Sequence, residues 1–156
     1  MSDNTNIIIR PADPEDIGQI YSIELECNQS PWTYAGLAAE LANPNSMFLT
    51  MEQPQNGKII GFACIASILE EIQINNIAIH PDYQGRGLGP MLINHALAKA
   101  AAEGASHAYL EVRESNIPAI KAYEKCGFTS YGVRKRYYRD GENAVLMSAT
   151  LFTPRI

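Results

Sequence analysis

The segment Ile77-Ala78-Ile79-His80-Pro81-Asp82-Tyr83-Gln84-Gly85-Arg86-Gly87-Leu88-Gly89-Pro90 decides how this chain is read. Before it, Ile72 to Ile79 has the length and β-branched content of a strand. After it, Leu88, Leu92 and Ala96 on one row and Ile93, Leu97 and Ala100 on the next have helical spacing as far as a stop at Gly104. A strand that enters a helix through three glycines offers a seat for an anion. The backbone can approach closely where no Cβ intervenes, and the first-turn N–H groups meet the anion with the positive end of the helix dipole. Pro90 fits such a first turn, where a missing N–H is tolerated. The loop lacks the Lys-Ser/Thr of a nucleotide P-loop, and Pro90 stands where a dinucleotide fingerprint needs its third glycine, so both nucleotide motifs are rejected. Taken by itself, the loop would read equally well as a plain tight turn.

Working outward, Ile7 to Ile9 predicts a short strand, and Asp13 with Pro14 predicts a helix start that Ile17, Ile20, Tyr21 and Glu24-Leu25 continue. A second helix is expected from Thr33 to Leu41, ended by Asn43-Pro44. Met47 to Met51 and Ile59 to Ile68 read as a hairpin around Gln53–Lys58, and a turn at Glu70-Glu71 leads into Ile72 to Ile79. Beyond Gly104, His107 to Val112 is a strand, and Ser115 or Asn116 caps a helix that runs to about Lys125 and stops at Gly127. Phe128 to Tyr138 and Ala144 to Leu151 are expected as two strands around Asp140-Gly141. This order predicts a single α/β domain over residues 1–156, with a mixed, mostly antiparallel sheet of about seven strands flanked by about four helices on both faces.

The 156 residues are 46% hydrophobic and 19% charged, enough apolar material for a core that needs neither metal nor disulfide. No apolar run reaches the roughly 18 residues of a spanning helix, and the opening Met-Ser-Asp-Asn-Thr-Asn lacks a leader's basic and hydrophobic regions, so a cytoplasmic protein without a membrane partner is expected. Cys27, Cys64 and Cys126 lie 37 and 62 residues apart, which suits neither a zinc site nor a disulfide framework; they read as reduced thiols, Cys126 as a small buried side chain. His80, His95 and His107 have no partner at ligand spacing, so they are read as structural and no metal is expected. Residues 1–83 carry 11 acids against 2 bases, whereas residues 84–156 carry 6 against 10. An acidic chain without a basic run in its first half is a poor direct binder of nucleic acid. The basic half could hold a small polyanion, and Glu24, Glu26, Glu70 and Glu71 in the acidic half would attract a basic peptide.

Gln84-x-x-Gly87-x-Gly89 between strand and helix resembles the coenzyme A pyrophosphate loop of the GNAT acyltransferase superfamily. The stretch from Asn76 to Gly89, then Leu110-Glu111-Val112-Arg113-Glu114-Ser115-Asn116, then Ala119-Ile120-x-x-Tyr123-Glu124-x-x-Gly127-Phe128, is similar to the RimI-type ribosomal-protein-alanine N-acetyltransferases. Pro31-Trp32-Thr33 and Arg136-Tyr137-Tyr138 extend the likeness over nearly the whole chain. The resemblance implies acetyl-CoA as cosubstrate, no metal, and a protein or peptide N-terminus as acceptor, such as an alanine-starting ribosomal protein. It further implies Glu111 as general base, Tyr123 as general acid and Asn116 as a cofactor contact. The main chain of Ile77, Ala78 and Ile79 would pair with the pantetheine arm as an added strand does. The pyrophosphate would lie on Gln84 and the backbone of Gly85, Arg86, Gly87, Leu88, Gly89 and Pro90. Pro118 and Arg139 depart from the family pattern, the first beside Asn116 and the second in the hairpin that walls the acceptor site.

Acetyl transfer from a thioester to an amine needs a neutral amine, support for a tetrahedral oxyanion and a proton for the departing thiolate. An α-amine of pKa about 8 is neutral roughly once in ten at pH 7, a lysine of pKa about 10.4 roughly once in 2,500, so an N-terminus is the easier acceptor by about 3 kcal/mol. Plainer readings stay open on local pattern: Glu111 as a solvated residue of an alternating strand, Tyr123 as core, and Trp32, Tyr137 and Tyr138 as packing rather than a peptide groove. Transfer to a small amine or a lysine side chain, or a non-catalytic coenzyme A module, are the alternatives to an N-terminal acetyltransferase. The joint spacing of Glu111, Asn116 and Tyr123 behind the glycine loop favours catalysis.

Overall fold

Helices begin where a side chain can satisfy the first turn. Asp13 leads into a single 3-10 turn at Pro14–Asp16 that continues as α1 (Ile17–Cys27). Thr33 Oγ1 accepts from Gly36 N–H at the head of α2 (Tyr34–Ala42). Gly87 stands with φ 78° before α3 (Leu88–Ala102). Asn116 Oδ1 accepts from Ala119 N–H before α4 (Ile117–Lys125), with Pro118 tolerated in that turn. The computed structural model describes residues 6–152; the opening residues 1–5, read above as lacking a leader, and residues 153–156 lie outside it.

The strands are β1 (Ile8–Pro11), β2 (Ser46–Gln53), β3 (Lys58–Ile68), β4 (Glu71–Ile79), β5 (His107–Arg113), β6 (Thr129–Arg134) and β7 (Ala144–Thr150). They form one sheet in the order β1-β2-β3-β4-β5-β7-β6. All neighbours are antiparallel except β4 and β5. One face packs on α1 and α2 through Ile17, Ile20, Ile23, Leu37, Phe48, Phe62 and Cys64. The other packs on α3 and α4 through Ile65, Ile72, Leu92, Ile93, Leu110, Val112 and Phe128. Central β3 is buried on both faces, and a bulge opposite Met51 and Glu52 puts one extra residue, Ile60, into it. Ile59 and Phe62 therefore face α1 together while Ile60 and Ala63 face the opposite core. A Cβ on the adjoining Gly61 would lie 2.8 Å from Ile79 Cδ1 and 3.2 Å from the Ala78 carbonyl, so glycine lets β3 and β4 meet here.

The expected strand from Phe128 to Tyr138 is too long. It ends at Arg134, because Arg136 turns into the left-handed region (φ 51°) and gives its N–H to Asn143 Oδ1, and Tyr138 N–H closes on the Glu142 carbonyl. Tyr137 and Tyr138 thus stand on a loop spanning 135–143, not on a strand. Glu24 is corrected too. Instead of adding to a surface field it is fully buried, while Glu26, Glu70 and Glu71 are exposed.

Asp16 is mostly buried and accepts from Arg10 Nη1 (2.7 Å), Arg10 Nη2 (3.0 Å) and Asp13 N–H (2.7 Å), and Arg10 also reaches Glu52. Burial opposes the charged form, but the Arg10 hydrogen bonds, the Asp13 N–H and the guanidinium charge together hold the Asp16 carboxyl below its ordinary range. A lowered folded-state pKa supplies stability above the unfolded value of about 3.9 that is lost as pH falls through the folded value. Asp16→Asn should therefore cost about 1–3 kcal/mol at pH 7, with the gap to wild type closing below about pH 4, as read by urea unfolding across pH.

Candidate active site

β4 and β5 run in register only from Glu71 opposite His107 to Ile74 opposite Leu110. On its other edge β4 carries a bulge, since Cys64 pairs with Asn76 and Ile65 with Ile74, leaving Asn75 as an extra residue. A bulge bends its strand and increases the local twist, and beyond it β4 and β5 part. The gap is the floor of a cleft of ≈ 760 Å³ walled by the α1–α2 connection, by β4 up to Ala78, by Glu111 to Arg113 of β5, by the head of α4 and by Tyr137 and Tyr138.

The structure brings Glu111, Asn116, Tyr123, Trp32, Tyr137, Tyr138, Ile77 and Ala78 together in this cleft. Leu110 and Val112 are buried toward α3 and α4, so alternation turns Glu111 toward the α1 side. There Arg134 Nη1 lies 3.8 Å from Glu111 Oε1 and its guanidinium lies over the Tyr137 ring, 5.2 Å from the centroid; the nearby Glu111 carboxylate foremost, then some burial, pushes the Tyr137 phenol's pKa up. Tyr123 approaches from the opposite face on α4. It is buried edge-on to Phe128, ring centroids 5.7 Å apart. Burial foremost, then the neighbouring Tyr138 and Cys126, raises its hydroxyl well above the usual tyrosine range.

The loop carrying Tyr138 is braced on β5. Arg113 Nη1 donates to Asp140 Oδ2 (2.8 Å) and Glu142 Oε1 (3.0 Å), with the guanidinium 4.1 Å from the Tyr138 ring centroid. Glu142 Oε2 accepts from Ser115 N–H (2.8 Å), and hydrogen bonds from Ser115 and Arg113 hold Glu142 below its ordinary range. Sequence reasoning missed Arg113, Arg134 and Glu142. Their partners lie 23 to 29 residues away, and only the β5–β7–β6 register brings them together.

Ile79, Gln84 and the segment Gly85–Pro90 are not walls of the cleft; they follow it at the end of β4. Gly85 and Gly87 have φ 79° and 78°, and helix geometry leaves the N–H groups of Leu88 and Gly89 without intrahelical acceptors. Arg86 Nη2 donates to the Asp82 carbonyl and its guanidinium covers Tyr83, 4.9 Å from the centroid. Gln84 Nε2 donates to the Ile79 carbonyl at 2.9 Å, and Cys27 Sγ donates to the same oxygen at 3.3 Å. Gln84 thus secures the strand's end, and Ile79 keeps only its N–H for an added strand. His80 holds the turn, its Nδ1 accepting from Asp82 N–H. Among the described residues no three His, Cys, Asp or Glu side chains gather as metal ligands, and no helix is long and apolar enough to cross a membrane.

Residues 17–128 match the model of the acetyltransferase (GNAT) family. The ribosomal protein bS18-alanine N-acetyltransferase of Escherichia coli is 37% identical over 136 residues, 85% of this chain and 90% of the relative. The crystal structure of the Escherichia coli ribosomal-protein-S18-alanine N-acetyltransferase superimposes with a TM-score of 0.86 at 32% identity, covering 96% of both chains. Ard1 from Thermoplasma volcanium superimposes with a TM-score of 0.89 at 25% identity, over 96% of this chain and 100% of that one. The chain belongs to the acetyltransferase (GNAT) family and is an N-acetyltransferase that takes its acetyl group from acetyl-CoA.

Proposed function

We propose that this enzyme acetylates the free α-amine of a protein N-terminus, with an alanine-starting ribosomal protein, the bS18 equivalent, as its acceptor in the cytoplasm. The observation that carries the reading is the cleft itself: Glu111 and Tyr123 enter it from opposite faces of the sheet, and Trp32 and the Tyr137-Tyr138 loop are among its walls, where the acceptor would enter. The relatives act on such an N-terminus.

In this reading the acetyl-CoA pyrophosphate rests on the Gly85–Pro90 backbone and the pantetheine arm lies along Ile77 and Ala78. Asn116, whose Oδ1 caps α4, offers its Nδ2 to the cofactor. The amine nitrogen attacks the thioester carbonyl, a C–N bond forms, and the C–S bond breaks as the tetrahedral intermediate collapses. Glu111, oriented by Arg134 and Tyr137, receives the amine's proton directly or through water. Giving a phenolic proton outright to a thiolate of pKa about 8.5 is uphill by roughly 1.5 units for an ordinary tyrosine, and more so for buried Tyr123. Tyr123 therefore acts by a hydrogen bond that strengthens as sulfur becomes anionic.

Peptides beginning with alanine should be acetylated well ahead of N-blocked lysine peptides and polyamines in a mass-read competition with acetyl-CoA; preference for either rival acceptor would overturn the reading. Glu111→Gln should lower kcat by about 10²–10⁴-fold, as expected for loss of a general base. Tyr123→Phe keeps the ring's packing and should lower kcat by about 10²-fold while the dissociation constant of coenzyme A stays within about twofold. Calorimetry separates the two quantities, and wild-type turnover in Tyr123→Phe would remove that hydroxyl from the mechanism.

A further inference from the structure

Glu24 is fully buried, yet its carboxylate belongs to no ion pair among the described residues. Its Oε2 accepts from Trp32 N–H (2.9 Å), Asn28 Nδ2 (3.1 Å) and Asn76 Nδ2 (2.9 Å), and its Oε1 is buried without a hydrogen-bond partner. One oxygen thus ties together the α1 helix, the connection to α2 and the strand segment just past the β4 bulge. All four residues line the cleft.

A carboxylate can only accept. That chemistry fixes which end of the Asn76 amide faces Glu24: the NH₂ must, so Oδ1 is turned away from it. Asn76 is half-buried in the cleft wall, on the sheet face to which Glu111 also turns. We propose that Asn76 is a recognition residue for the acceptor, its Oδ1 taking a hydrogen bond from the incoming amino terminus, and that Glu24 is the positioning residue that aims it. The inference rests on the cleft being the site of an amine acceptor. At pH 7 a free α-amine arrives mostly as an ammonium, and a neutral amide oxygen can hold an N–H of either the charged or the neutral form as the proton leaves for Glu111. Asn28 is built in the same way: Nδ2 faces Glu24, and Oδ1 accepts from Ser30 N–H to fold the connection that carries Trp32.

Steady-state kinetics with an alanine-starting hexapeptide test the proposal. Asn76→Ala should raise the peptide KM about tenfold, the worth of one hydrogen bond to a charged group, while kcat and the acetyl-CoA KM stay within about twofold. Asn76→Asp sets two carboxylates face to face and should be worse. Glu24→Gln can turn its one oxygen to the three donors and hold Asn76 as the carboxylate does, so its peptide KM should stay near wild type, whereas Glu24→Leu releases Asn76 and should raise the peptide KM as Asn76→Ala does. A wild-type peptide KM in Asn76→Ala, an equal fall in kcat and both affinities, or a peptide KM in Glu24→Gln as high as in Asn76→Ala would each overturn the proposal. Should Asn76→Asp or Glu24→Leu fail to fold, Asn76→Ala and Glu24→Gln still decide. If the wild type itself acetylates no α-amine, the functional reading fails and this inference falls with it. If the wild type is active and Asn76→Ala matches it, only the inference falls.

Discussion

The parting of β4 from β5 is the constraint on which the rest of the molecule depends. A parallel pair would ordinarily keep its ladder for the full length of both strands. Here the pairing stops after Ile74 and Leu110, and the extra residue Asn75 bends β4 back toward β3. Past that point the backbone edge of β4 is open to an extended ligand, and side chains from both faces of the sheet can enter one gap. Glu111 from the α1 side and Tyr123 from the α4 side could not share a cleft across an unbroken ladder. Gly61 on β3 contributes from behind, since a side chain there would push Ile79 and the end of β4 out of line. The glycine loop then follows directly from the opened strand, so the diphosphate seat and the path for its arm, as proposed, are consecutive pieces of chain.

Most of the framework was legible because the signals are local. Apart from the strand that stops at Arg134, alternation, caps and turn residues place the helices and strands closely, and Asn116 and Thr33 cap as their side-chain chemistry predicts. What was not legible is non-local or breaks its own local rule. Nothing in Phe128 to Tyr138 announces that Arg136 turns left-handed, and the aromatic pair that follows has strand propensity although it sits in a loop. The insertion of β7 between β5 and β6 brings Arg134 to Glu111 and Arg113 to Glu142, contacts that no spacing within one element encodes.

Glu24 is the instructive misreading. Counted with the other acids it looks like part of a surface charge, but it follows Ile17 and Ile20 at the seven- and four-residue intervals that define the buried row of α1. Its position on that row was the available sign that it faces inward. The consecutive Asn75-Asn76 in a strand that until then alternates polar and apolar was a second sign, since a polar pair interrupts that alternation where a bulge and a buried acceptor are both waiting.

The brace from Arg113 to Asp140, Glu142 and Tyr138 has a consequence for fidelity. Arg113 lies two residues from Glu111 along β5, and Tyr137 of the braced loop lies under the Arg134 guanidinium, which is 3.8 Å from the Glu111 carboxylate. In the proposed function, where Glu111 takes the proton and the loop meets the peptide, the two are then parts of one rigid lever. On that reading a peptide too bulky for the loop would shift the base as it forces its way in and so slow its own modification, and selectivity would come from lost speed as much as from lost grip.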